Sequence, residues 1–157
     1  MLGLEALIAW LGSSTLNQYI VSHSYVWPTL ESLHFIGLSL LFGAMLVIDL
    51  SVLGLVGEVS FTALKKFVWV SIVGFMVNLI TGIGFIFGDP SRYFSNPSFV
   101  LKMFCVWIAL LNAWYFSAKV RGLSSQDFPL SLKISAGASL MLWCLVLILG
   151  RFIPYVE

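Results

Sequence analysis

The 157-residue chain is 60% apolar and only 10% charged, with a mean hydropathy of +1.02, whereas soluble domains carry about 25% charged residues. A soluble fold of this length has too little interior to hide that much apolar surface, so lipid must be the solvent. The net charge of +1 presents no basic or acidic face for nucleic acid, and the partner it leaves is the lipid bilayer.

In chain order, residues 1–27 come first. Leu4-Glu5-Ala6-Leu7-Ile8-Ala9-Trp10-Leu11 is short and amphipathic, and Gly12-Ser13-Ser14 interrupts it. This pattern predicts a helix lying in the membrane interface rather than a span. The segment lacks the basic start and small-residue cleavage site of a signal peptide.

A bilayer core needs about 20 apolar residues per helix, and residues 28–157 hold four such runs, at 28–56, 67–88, 99–118 and 131–152. At roughly 100° per residue, the first span aligns Trp27, Glu31, His34, Leu38, Met45, Asp49 and Val52. The second aligns Ser71, Gly74, Asn78, Thr81, Gly82 and Asp89, a small and polar face suited to close helix contact. The third aligns Lys102, Cys105, Ala109, Asn112 and Lys119, and the fourth carries Ser131, Ser135 and Ser139. Short connections predict an all-α fold, an integral membrane four-helix up-down bundle with an N-terminal interfacial helix.

Five of the eight Lys and Arg residues (Lys65, Lys66, Lys119, Arg121 and Lys133) fall on one side of these spans. Arg92, Lys102 and Arg151 fall on the other, so the positive-inside rule places both termini outside, the periplasmic side of a bacterial inner membrane. Trp10, Trp27, Trp69 and Trp114 fall near predicted interfaces and read as belt anchors.

Ionisable side chains inside spans are costly and face the bundle or water. By depth, Glu31, His34, Lys102, Arg151 and Asp89 gather near the outer surface, while Asp49 and Asn112 match near the inner side. Asp49 is expected to hydrogen-bond Asn112 or a backbone group. His34 has three readings: a neutral imidazole bonded to Glu31 or a neighbouring helix, an axial haem ligand, or a copper or zinc ligand. Lys102 and Arg151 either snorkel as anchors or pair with haem propionates. His23 is the other histidine, so two bis-His haems are excluded and one haem is the maximum on that scheme. Cys105 and Cys144 lie at similar depth. They read as small buried apolar groups, with a disulfide conceivable. No Cys-x-x-Cys-His attachment motif, phosphate loop, dinucleotide fingerprint or His-Glu-x-x-His helix is present.

The run Trp27-Pro28-Thr29-Leu30-Glu31-Ser32-Leu33-His34-Phe35-Ile36-Gly37 resembles a bacterial family of four-span membrane proteins of unknown function. So do Asp49-Leu50-Ser51-Val52-Leu53-Gly54, Asn96-Pro97-Ser98-Phe99-Val100-Leu101-Lys102 and Gly150-Arg151-Phe152-Ile153-Pro154-Tyr155. More distantly the chain is similar to copper-resistance D-type membrane domains and to small four-span haem proteins of porphyrin oxidation, which pair a span-one histidine with a span-three lysine. The resemblance implies His34 and Lys102 as cofactor-site residues, with Arg151 and Tyr155 as outer-surface support. Ser51 stands where the unknown-function family commonly has Arg. Asn112 stands in the region where the porphyrin-oxidising proteins have a further histidine, so their enzymatic activity is not carried over.

The expected function is therefore an inner-membrane protein that binds one haem b, or a metal such as copper at His34, near the periplasmic face for electron transfer or redox sensing. Glu31, Lys102, Arg151 and Tyr155 surround the site. A cofactor-free accessory or assembly subunit that docks a periplasmic or membrane partner is the alternative. A transport path along Glu31, Asp49 and Asn78 is a third reading. Gly74 and Gly82 offer close-contact surface for a homo-oligomer or a membrane complex.

Overall fold

The computed structural model describes residues 2–57, 59–120 and 128–156. Among them are seven α-helices, a terminal 3-10 turn and no strand. The helices are α1 (Leu2–Gly12), α2 (Thr15–Ser22), α3 (Val26–Leu53), α4 (Phe61–Gly88), α5 (Pro90–Phe94), α6 (Pro97–Val120) and α7 (Leu130–Phe152), and the turn is Ile153–Tyr155.

Helices α3, α4, α6 and α7 are long and apolar enough to cross a bilayer. At 1.5 Å per residue the 28 residues of α3 extend about 42 Å. This is the build of a multi-pass membrane protein. Large apolar side chains such as Phe104, Trp107, Leu111 and Ile80 point outward, more than 60% exposed, as a lipid-facing surface requires.

Local chemistry sets the helix ends. Ser14, inside the Gly12-Ser13-Ser14 interruption, accepts from the Asn17 backbone N–H at 3.1 Å and so starts α2. Pro28 falls in the first turn of α3, where its missing N–H leaves no bond unmade. Gly54, at φ +73°, ends that helix, and its N–H and that of Leu55 bond back to Ser51 and Leu50. The left-handed turn there suits glycine. Helix α4 begins six residues before the apolar run does, because Ser60 caps it through the Ala63 N–H at 3.2 Å. Lys65 and Lys66 thus ride on the helix rather than in a loop. Arg121, another of the five residues counted on their side, lies outside the described residues.

Residue pairs show how the helices run. His34 meets Thr81, Leu30 lies against Gly84 and Trp27 against Gly88, so α4 returns along α3. Closest approach is at Gly37 and Gly74, where a Cβ on Gly74 would stand 2.5 Å from the Leu41 N and 2.7 Å from the Gly37 O. On the other side of α3, Val52 shares a buried cluster with Leu132 and Ala136 of α7. Helix α6 packs on α7: Asn112 Nδ2 donates to the Ser135 O at 3.0 Å, and Ser135 Oγ donates to Asn112 Oδ1 at 2.8 Å. The packing order is α4, α3, α7, α6, and among the described residues α4 and α6 make no extended packing with each other.

Two expectations change here. Asn112 does not pair with Asp49, because α6 packs on α7 and Ser135 takes both ends of the amide; Asp49 instead faces Ser139. Both cysteines are free and Cys105 is buried, as expected, but Cys144 is exposed rather than buried, since α6 and α7 meet through Cys105, Ala109, Trp143 and Val146.

Helices α1 and α2 lie on the end of this assembly. Asn17 Nδ2 donates to the carbonyls of Phe87 at 2.7 Å and Gly88 at 3.2 Å, two of the last carbonyls of α4, which have no partner within the helix. Ile20 is buried beside Gly88.

Candidate functional site

At the end of the assembly that carries α2 and α5, the helices part around a cavity of about 610 Å³. That lies within the usual range for ligand and cofactor pockets. From Glu31 to Phe42 it follows α3 for about 16 Å. Its walls are aromatic, with Phe35 and Phe42 from α3, Phe85 from α4 and Phe99 from α6; the exposed Glu31, Arg92 and Arg151 and the half-buried Lys102 also line it.

His34 lines this cavity, and its environment fixes which nitrogen is bare. His34 Nδ1 is 2.7 Å from Thr81 Oγ1. That hydroxyl has one proton, which it donates to the Val77 O at 2.7 Å. The Thr81 oxygen must therefore accept from His34 Nδ1–H, an assignment that follows from the hydrogen-bond network. The unprotonated nitrogen is Nε2, which has no hydrogen-bond partner among the described residues. The edge of the ring also rests on Phe85, with centroids 5.2 Å apart. Of the structural readings of His34, the bond to a neighbouring helix is the one found; Glu31 instead accepts from Trp27 Nε1 at 3.1 Å. Trp27 thus lines the cavity beside Glu31 as well as standing at the helix end.

Lys102 reaches the cavity across Gly150, where a Cβ would stand 3.0 Å from its Nζ. Glycine leaves the groove in which the lysine stem lies. Among the described residues the Lys102 amine forms no ion pair, and it is within electrostatic reach of His34. Arg151 lies at the mouth, donating from Nη2 to Tyr155 Oη at 3.0 Å and stacking over that ring at 5.1 Å. The structure thereby brings His34, Glu31, Lys102 and Arg151 around one cavity, with Tyr155 holding Arg151 from outside.

Two lining residues were not singled out from sequence. Asp89 caps α5 through the Arg92 N–H at 3.2 Å and pairs with Arg92 Nε at 3.2 Å, which turns Arg92 and Tyr93 towards the cavity. The Tyr93 ring stacks on Phe85 and meets Phe99 edge-on, and burial pushes its hydroxyl up to about 12. Asp-Pro was the available signal, since aspartate before proline starts a helix well. Asn96 closes the same end. Its Oδ1 accepts from the Ser98 N–H at 2.9 Å, capping α6, and its Nδ2 donates to the carbonyls of Ile153 and Val156.

No known protein family, curated protein or solved structure matches this chain. The likeness to four-span families rests on the motifs in the chain alone, and the cavity has to be read by its chemistry.

That chemistry separates the candidate cofactors. Among the described residues no three His, Cys, Asp or Glu side chains converge. A copper or zinc ion on His34 would lack the protein ligand set such ions take. A planar apolar macrocycle with acidic edges makes different demands: one bare imidazole nitrogen, aromatic walls and cations at the rim. His34, the four phenylalanines and the Lys102, Arg92 and Arg151 mouth fit that description.

Proposed function

We propose that the chain is a four-helix up-down bundle of a bacterial inner membrane. Its termini lie on the periplasmic side, and residues 1–27 lie in the interface. In the cavity it holds one haem b for electron transfer or redox sensing. The observation that carries this reading is the bare Nε2 of His34, oriented by Thr81 within an aromatic cavity whose rim is cationic.

His34 would hold the haem iron through Nε2, with Thr81 fixing its tautomer and ring angle, as outer partners of metal-bound imidazoles commonly do. Lys102 and Arg151 would meet propionates, and Tyr155 would hold the Arg151 guanidinium in place. Glu31, tied to Trp27, keeps one negative charge at a mouth that is otherwise cationic. When bound, haem b supplies one-electron redox chemistry at a potential set by its ligands and surroundings.

The test is the haem content of the gently purified protein, measured by absorption after conversion to the pyridine complex. One haem per chain, lost in His34→Ala, is expected. A colourless, metal-free preparation of wild-type protein would overturn the reading and favour a cofactor-free subunit.

A further inference from the structure

Beyond the cavity floor, the seam between α3 and α7 holds three buried polar groups. Asp49 is 2% exposed, Ser139 3% and Trp143 5%. Among the described residues, Asp49 Oδ2, Ser139 Oγ and Trp143 Nε1 each have no hydrogen-bond partner. Asp49 faces Ser139 across the seam, and Trp143 is one turn from Ser139 on α7. The three atoms are complementary: a carboxyl acceptor, a hydroxyl that both donates and accepts, and an indole donor. Ser135, one further turn along α7, is already joined to Asn112. Polar groups therefore recur at every turn from Ser135 to Trp143, which lies one turn short of Val146 and Leu147 in the cavity wall.

Among the described residues nothing charged offsets Asp49. The charged groups on the two long helices packed against α3 are Lys65 and Lys66 of α4 and Lys133 and Arg151 of α7. All four are exposed and none forms an ion pair with it. Helix α2 with its cap contributes Tyr19 and His23, at the opposite end of α3. An isolated carboxylate at this depth is costly, and such groups in membranes mark proton or ion pathways. Buried polar atoms in this number are commonly satisfied by one water making about three hydrogen bonds.

We propose that Asp49 is a proton-binding site inside the membrane, its carboxyl holding one proton that exchanges through water seated between Asp49, Ser139 and Trp143. Binding takes one proton from solvent, relayed through that water to Oδ2 so that the water is left neutral and the carboxylate becomes a neutral acid; release returns the proton to solvent by the same relay, and no electron moves. The site does not depend on what the cavity holds.

The test is the infrared spectrum of the full chain in lipid vesicles, with and without isotopic labelling of aspartate carboxyl carbons. A protonated-carboxyl C=O band is expected that shifts with the label, shifts again in D2O and is lost in Asp49→Asn. Absence of such a band overturns the proposal, and so does a band that D2O leaves in place, because its proton would be sealed off. Should Asp49→Asn fail to fold, Ser139→Ala keeps the carboxyl and removes its hydroxyl neighbour. The band is then expected to change frequency, and an unchanged frequency overturns the assignment to Asp49.

Discussion

Thr81 and His34 illustrate how one hydroxyl decides what an imidazole can do. The Thr81 proton is committed to the Val77 carbonyl, so the histidine must donate from Nδ1 and presents Nε2 unprotonated. Thr81→Val removes the acceptor while keeping the shape. It is expected to weaken haem retention by about 10- to 100-fold, the usual cost of losing an outer partner. Thr81→Ser is expected to retain haem, and titration of haem against each purified variant checks the pair. The position of His34, Glu31, Lys102 and Arg151 around one site was legible in the sequence, because depth along a helix follows from counting residues. The role of Thr81 was not. It stood out only as one of several small polar residues on its face, and which of them meets His34 depends on the helix register. Asp49 shows the same limit: matching depth suggested Asn112 as its partner, but depth does not say which helices touch.

The long helices are the best-read elements, because length and hydropathy alone define a span. Their ends are set by single caps that hydropathy does not report: Ser60 starts α4 early, Asn96 starts α6 and Gly54 stops α3. Arg92 was counted only for orientation and Tyr93 not at all, because their place at the cavity follows from the short α5, which the Asp89 cap and its ion pair hold. Between α3 and α4, association relies on close backbone approach, since lipid supplies no hydrophobic drive to pair helices. Gly74→Ala would place a methyl group against the backbone of Gly37 and Leu41. It is expected to destabilise the fold by about 1–3 kcal/mol, the usual cost of overpacking. Gly43→Ala meets no atom within 4 Å and serves as the neutral control, with thermal unfolding in detergent as the measurement for both.

At the scale of the whole molecule, the packing order α4, α3, α7, α6 explains why a cavity exists: the two outer helices do not close on each other. Aromatic side chains from four elements line the gap, and α5 walls its mouth. The proposed orientation puts this end on the periplasmic side. In a chain with Cys105 and Cys144 replaced by alanine, Tyr155→Cys is expected to react with a membrane-impermeant maleimide on intact spheroplasts. Lys133→Cys is expected to react only after lysis, and the reverse pattern would invert the topology. The central claim is that His34 makes this cavity a haem site, and its most direct test is titration of haem into the purified apoprotein, followed at the Soret band. Wild-type protein is predicted to saturate at one equivalent with a sharpened, red-shifted band, and His34→Ala to leave the spectrum of free haem. Equal binding by both proteins, or by neither, would contradict the claim.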